Sequence, residues 1–446
     1  MNEVTRKYNE SCRAPGGGLS RVVRRVERDP SLRHGGHRCT LSRPLFVDSA
    51  EIAGFGADLR RMLELLTSLP ERVFDGDLDR FCAALGVEPS RAALMSRFGG
   101  RPPQFVGRAD VHRDEQGYKI LEFGIGSELG GWIFAGDLPR AMLEADEFAA
   151  FAAANRLDFV DTGQELAAAL REASGVAEPV VALVEASGAL STWGDTWLLM
   201  QQGMQKLGVD FHVGELRDIT ERNGRIMLGQ VPVDVVYRVF EAADVCHEAE
   251  EIARVELIAK AHEDGRVVLW TPMEANLYGE KGCLALLSDP SWGGAFTAEE
   301  RALIDRMLPW TRSLNRGSTV DVQRLVEECR NRREELILKP NSMYGGIGVV
   351  AGWEATPDQW WTALRHGVAN GAIVQERVTA VPDVVVNPET GEEERWRTLW
   401  GPFYTPRGYA GARCWMVRED GPAVIGLAQG KEVLAAGVFH CDNSTS

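Results

Sequence analysis

Two groups of residues have the types and spacing to do chemistry. The first is the run Leu336-Ile337-Leu338-Lys339-Pro340-Asn341-Ser342-Met343-Tyr344-Gly345-Gly346-Ile347-Gly348-Val349-Val350-Ala351-Gly352. A strand is predicted to deliver Lys339, a short glycine-rich loop follows, and a β-branched strand returns. Gly345, Gly346 and Gly348 let the backbone approach an anion with its N–H groups, and Lys339 supplies a point charge. The run is not a P-loop, because Gly-x-x-x-x-Gly-Lys-Ser/Thr occurs nowhere in the chain. Nor is it a dinucleotide fingerprint, because the spacing Gly346-x-Gly348-x-x-x-Gly352 is wrong and a second strand, not a helix, follows. A glycine-rich hairpin can also be no more than a turn.

The second group is Arg108-Ala109-Asp110 and Leu121-Glu122-Phe123-Gly124, on either side of the turn Asp114-Glu115-Gln116-Gly117. Two antiparallel strands joined by a short turn can set Asp110 and Glu122 side by side, facing one metal ion. The plain alternative is a solvated cross-strand pair.

Beyond the glycine-rich run, a helix containing Trp360, Trp361 and Leu364 leads to Ala372-Ile373-Val374-Gln375-Glu376-Arg377-Val378. Lys339 with its hairpin, followed by a strand ending in Gln375-Glu376, resembles the nucleotide half of the ATP-grasp superfamily. That resemblance implies a base pocket lined by Gln375, Glu376 and Val378, and a loop of Tyr344, Gly345, Gly346 and Gly348 over the nucleotide. It also implies an upstream lysine on the phosphates, for which Lys281 in Tyr278-Gly279-Glu280-Lys281-Gly282-Cys283 is the candidate. Read from the residues alone, Lys281 is equally a surface lysine at a helix start. The usual members place their Mg²⁺ carboxylates after the hinge, and no such constellation follows Val378. With Asp110 and Glu122 upstream, the order resembles the circularly permuted ATP-grasp enzymes typified by glutathionylspermidine synthetase. Their pattern is Arg-x-Asp, a Gly turn, Lys and Glu-x-Asn, which Arg108, Asp110, Gly117, Lys119 and Glu122 match. The Asn position is Gly124, which leaves water, Ser127 or Glu128 to fill the vacancy, or a second metal held less tightly.

The resemblance spans 45–439 and implies a carboxylate-amine ligase that uses ATP and Mg²⁺ and works through an acylphosphate. Arg108, Lys339 and Arg413 are then the catalytic residues on the transferring phosphate, and Asp110 and Glu122 the metal ligands. The loop 124–131 takes the place of a substrate loop, where Ser127 and Glu128 are candidates, Glu128 for an amino group. Arg238 could clamp a carboxylate or equally be a structural ion-pair partner. The substrates implied are an amino acid or small peptide acid, glutamate through its γ-carboxylate being one concrete case, and an amino acid or amine. The competing reading is an ATP-binding regulatory or interaction protein without ligase activity, for which Gly124 is the best support. The general base for the amine is not legible.

The elements that must position these residues follow from periodicity. Residues 49–98 read as successive helices, with Leu59, Met62, Leu63, Leu65 and Leu66 at helical spacing. Residues 104–131 read as a hairpin, and 141–153 and 163–173 as Ala-rich helices. Val180-Val181-Ala182-Leu183-Val184 reads as a buried strand, and alternating helices and strands to Trp270 imply a mostly parallel layered unit. The fold class is α/β with α+β elements: a circularly permuted ATP-grasp fold with a pre-ATP-grasp-like layered domain and an N-terminal helical segment. The expected divisions are an Arg-rich, solvated or partly disordered lead-in at 1–44, a helical segment at 45–100, a metal and substrate part at 101–175, the layered domain at 176–275 and a nucleotide part at 276–446.

The hydrophobic fraction of 44% and charged fraction of 26% exclude a disordered or fibrous chain. The formal charge is −16, and residues 1–45 hold ten basic and four acidic residues, so the rest carries −22 and should repel nucleic acid. Arg21, Arg24, Arg25 and Arg28 lie between Gly16-Gly17-Gly18 and His34-Gly35-Gly36-His37, which reads as a solvated lead-in. No run of 18 apolar residues and no apolar leader core occurs, and the expectation is a cytoplasmic protein with no membrane partner. The oligomeric state is open, a homodimer included. Eight cysteines without Cys-x-x-Cys argue against a zinc or disulfide framework. Cys246-His247 as a catalytic pair is disfavoured because neighbours on a helix or strand point apart.

Overall fold

Apolar residues at helical spacing pull 49–98 into helices. Helix Ser49–Thr67 starts at Asp48, whose carboxylate accepts from the amides of Ala50 and Glu51, and it buries Ile52, Phe55, Leu59, Met62, Leu63 and Leu66. Helices Leu69–Phe74, Leu78–Leu85 and Pro89–Phe98 follow. The computed structural model describes residues 1–13, 18–26, 40–41, 43–98, 105–315, 321–387, 389–426 and 432–442.

Helices Glu3–Arg13 and Leu19–Val26 correct the expectation of a loose lead-in for the residues they cover. They pack Val4, Tyr8, Val22, Val23 and Val26 into one apolar cluster with Phe46, Phe148 and Phe439. Each buried valine contributes about 1.5–3 kcal/mol, so several together offset the cost of ordering the segment. Arg28 and the glycine-histidine run 34–37 lie outside the described residues.

Four strands, in the order Val268–Trp270, Val235–Arg238, Val180–Glu185 and Asp210–Glu215, form an all-parallel sheet. Helices Trp132–Leu143, Thr162–Ser174 and Leu190–Lys206 supply apolar side chains to one face, while helix Ala249–Glu263 packs Val255 and Ile258 with Ala182, Val184 and Val236 on the other. Both faces are covered, which is why Val181, Ala182, Leu183 and Val184 form one continuous apolar run.

A second, antiparallel sheet of four strands carries Lys339, in the order Thr311–Ser313, Ala372–Glu376, Leu336–Pro340 and Val350–Ala351. Leu336, Leu338 and Val374 pack on Trp360 and Leu364 of helix Pro357–Asn370. Lys339 and its register partner Ile373 therefore look away from the helices.

The hairpin of Gly107–Asp114 and Gly117–Ile125 belongs to a six-stranded sheet with Glu393–Thr405, Gly408–Arg418, Leu434–Ala436 and Asp383–Val386. The late strands thus join the hairpin and not the sheet that holds Lys339, so the division at 276–446 does not follow sheet membership. Leu45–Asp48 pairs in parallel with Val438–Cys441 and ties the early chain to the late chain. Among the described residues no helix is long and apolar enough to cross a membrane.

Candidate functional site

The hairpin is where the site begins. From the turn, Asp114 pairs with Gly117, Arg113 with Tyr118, His112 with Lys119 and Val111 with Ile120; the register then shifts, and Asp110 pairs with Glu122. Leu121 is the extra residue of a β-bulge. The burial phase changes with it: Tyr118 and Ile120 are buried before the bulge, Phe123 and Ile125 after it, and Glu122 emerges on the same open face as Asp110. In a regular ladder Glu122 would lie opposite Ala109, on the core face.

Lys339 reaches this face from the second sheet. Its Nζ donates to the carbonyl of Leu121 at 3.1 Å and to Gln375 Oε1 at 2.7 Å. Burial lowers its pKa to about 8, with Glu122 and Asp110 opposing the shift and Lys281 adding to it. Lys281 lies 3.2 Å from Glu122 Oε1 and donates to the carbonyl of Met343 in the glycine-rich loop. It sits at the start of helix Gly282–Ser288, as expected, but buried rather than on the surface.

A supporting network that the sequence did not disclose holds Lys281 in place. Glu280, itself buried, accepts from Asn341 Nδ2 at 2.8 Å and Ser342 Oγ at 2.6 Å, and pairs with Arg91 at 3.1 Å. Asn341 also donates to the carbonyl of Leu85 at 2.8 Å. The base of the glycine-rich loop is thereby tied to the helical segment. The only sequence signal was Glu280 standing beside Lys281.

Two arginines flank the carboxylates. Arg108 Nε donates to Asp110 Oδ1 at 3.3 Å, Nη1 donates to the carbonyl of Gly130 at 3.2 Å, and the guanidinium lies 5.8 Å from the centre of the Phe403 ring. Arg413, opposite Gly401 in its sheet, lies over Trp415 at 4.6 Å, and its Nε has no hydrogen-bond partner. Burial and the neighbouring Arg108 push its pKa well down, and Asp110 opposes them. A Cβ at Gly131 would stand 2.7 Å from Arg413 Nη1, at a φ of +100°. Only glycine fits there, at the N-terminus of helix Trp132–Leu143. Two guanidiniums beside a helix N-terminus make a setting for an anion.

The remaining candidates are placed as follows. Gln375 turns its side chain to Lys339 and to Thr311 Oγ1, 3.1 Å away, instead of toward a base. Glu376, the next residue on the strand, faces the other way and lies 3.6 Å from Arg332. Val378 is half-buried just beyond that strand. Tyr344 is 62% exposed at the loop tip, its pKa pushed up to about 12 by partial burial and by Glu241 and Asp244. Gly345, Gly346 and Gly348 have φ of +66°, +81° and +72°, which residues with a Cβ rarely adopt.

In the substrate loop Ser127 is fully buried. Its Oγ bonds the carbonyls of Arg238 and Trp270 and lies 3.0 Å from Thr271 Oγ1. Arg238 is fully buried, donating to Thr271 O at 2.7 Å, Phe240 O at 2.6 Å and Thr271 Oγ1 at 3.2 Å, and pairing with Glu128 at 3.4 Å. Both side chains are committed to the protein, and the structural ion pair is the arrangement found for Arg238. Glu128 also accepts from Asn276 at 3.0 Å, and burial raises its pKa. Neither Ser127 nor Glu128 takes the place of the missing Asn: a Cβ on Gly124 would meet Leu129 Cδ1 at 2.8 Å, so Leu129 occupies that space.

No family model and no curated protein matches the chain. Among solved structures, a glutathione synthetase-like effector (GSS30) from Globodera pallida is similar with a TM-score of 0.52 and 13% identity, covering 90% of each chain. A γ-glutamylcysteine synthetase candidate from Methylobacillus flagellatus KT follows with a TM-score of 0.41 and 11% identity, over 84% of this chain and 86% of that one. D-cycloserine synthetase DcsG gives a TM-score of 0.29 and 18% identity, over 59% of this chain and 92% of that one. The chain shares the fold of the glutathione synthetase-like effector.

Proposed function

We propose that the protein is an ATP-dependent carboxylate-amine ligase with its segments in the circularly permuted order. One observation carries this reading: Asp110, Glu122, Lys281 and Lys339, from three remote stretches of chain, converge on one charged cluster, with Lys281 at 3.2 Å from Glu122. The donors at the carboxylate pair are oxygen only, and the Asp110 and Glu122 side chains keep 29% and 27% of their surface exposed. An open, hard, anionic pair suits Mg²⁺ and not a soft metal. When bound there, Mg²⁺ supplies charge neutralisation on the nucleotide's phosphates.

The protein's own groups do the rest. A carboxylate does not condense with an amine unaided, because oxide is the leaving group. An oxygen of the acid attacks the γ-phosphorus, the bond to ADP breaks, and the acylphosphate forms; the amine then attacks the carbonyl carbon, expels phosphate and loses a proton. Lys339 and Lys281 bind the nucleotide's phosphates. Arg108 and Arg413 hold the oxygens of the transferring group, so catalysis is chiefly positioning and charge stabilisation. Glu128, its carboxylate paired with Arg238 and Asn276, is the remaining side chain of the loop for an amino group. We assign small-molecule substrates, an amino acid or small peptide acid and an amine, and a cytoplasmic setting.

Leu129 in the space of the missing Asn favours a second reading, an ATP-binding regulatory protein descended from such a ligase. Incubation with ATP, Mg²⁺ and pools of amino acids, small peptides and amines separates the two. The ligase reading expects ADP, phosphate and a product of condensed mass. ATP binding without ADP from any mixture would leave the second reading.

A further inference from the structure

Cys246 and His247 do not lie on a helix or strand. Helix Ala242–Val245 ends at Cys246, and both residues form the turn before helix Ala249–Glu263. In a turn, neighbouring side chains are free of the alternation that separates them in regular structure. Facing them is Glu88, immediately before helix Pro89–Phe98. Its carboxylate accepts from the amides of Ser90 at 3.1 Å and Arg91 at 3.2 Å, which fixes it at the helix start, and Ser90 Oγ stands 3.6 Å from Cys246 Sγ.

One ligand atom from each of Glu88, Cys246 and His247 lies within 4.8 Å of the other two. Ligands about 2.0–2.3 Å from a tetrahedral zinc ion stand roughly 3.3–3.8 Å apart. Glu88 and His247 are exposed and Cys246 half-buried, so small rotations close the difference. The donor set differs from that of Asp110 and Glu122. Sulfur and imidazole beside one carboxylate select a borderline-soft ion, whereas Mg²⁺ keeps to oxygen.

We propose that Glu88, Cys246 and His247 form a site for a divalent ion of the zinc class, with the fourth position left to water, which fastens the helical segment to the layered unit. The location gives the site a structural consequence. Helix Pro89–Phe98 also carries Arg91, which grips Glu280 and through it Asn341 and Ser342 at the base of the glycine-rich loop. A metal on Glu88 would steady the same first turn of that helix, whose Ser90 and Arg91 amides already bond the Glu88 carboxylate.

Cobalt(II), which shares zinc's geometry and is coloured, is the probe. The reduced, metal-free full chain should take up one equivalent, develop a thiolate-to-cobalt charge-transfer band, and lose it on addition of Zn²⁺. Cys246→Ser should remove the band. Glu88→Gln and His247→Ala, both at exposed positions, should each weaken Co²⁺ binding at least roughly tenfold with unchanged circular dichroism. No band in the parent protein, a band that survives in Cys246→Ser, or unchanged affinity in both Glu88→Gln and His247→Ala overturns the proposal. If Cys246→Ser does not fold, the two surface variants decide it. None of these readouts depends on ligase activity.

Discussion

Asp110 stands directly across from Glu122, and one bulged residue, Leu121, puts it there. The same residue offers its carbonyl to Lys339 at 3.1 Å. A single irregularity in a hairpin thus aligns two carboxylates and docks the lysine of another sheet. Glu122→Ala should abolish ADP formation, lowering the rate at least roughly 100-fold. It also leaves buried Lys281 without its ion-pair partner, so the variant should lose about 1–2 kcal/mol of stability yet stay folded. Single-turnover ADP assays and denaturant titration measure the two effects separately. Parent-like turnover would remove Glu122 from the site.

Lys339 separates function from stability as well. Burial disfavours its charge, so an apolar side chain of similar length relieves a cost that the ammonium imposes. Lys339→Met relieves that cost but leaves Gln375 Oε1 and the Leu121 carbonyl without their donor, so stability should change by no more than about 1–2 kcal/mol while ATP affinity and ADP formation fall at least roughly 100-fold. Calorimetry with and without ATP checks both. A variant that unfolds would assign Lys339 a structural role instead.

ATP affinity should also depend on pH through this lysine. Its pKa is lowered to about 8 in the free protein, and phosphate binds the protonated form. Affinity is then steady below about pH 7.5 and falls as pH rises through 8, approaching tenfold per pH unit above it. Titration calorimetry between about pH 7 and 9 should show this loss. Lys339→Arg, whose charge persists over that range, should flatten the profile whatever its absolute affinity.

Arg413 has an unpartnered Nε and lies beside Arg108. If it serves the transferring group and not the resting nucleotide, Arg413→Met should leave the ATP dissociation constant within about twofold and slow ADP formation by roughly 100-fold. Relieving like-charge repulsion should leave stability unchanged or slightly raised. A large loss of ATP binding would move Arg413 to the nucleotide.

Periodicity made the local elements legible: the helices of 49–98, the hairpin of 107–125, the parallel strands up to Trp270, and the strand that carries Lys339. Each depends on which side chains face the core within a few residues. Gln375 shows where that reading stops. Its place on a strand was legible, but its bond to Lys339 depends on which strands pair, and pairing is non-local.

By itself, then, the sequence determined the element types, the chemical character of Lys339, Asp110 and Glu122, and their order along the chain. Only the tertiary structure decided that Glu122 faces Asp110, because a bulge is a matter of register, and an apolar Leu121 reads the same with or without one. It also decided that Lys281 is buried against Glu122, that Ser127 and Arg238 spend their donors on the protein, and that strands Asp383–Val386, Glu393–Thr405, Gly408–Arg418 and Leu434–Ala436 join the hairpin's sheet. These are hydrogen bonds and strand pairings between distant segments, and their energies exist only once the segments meet.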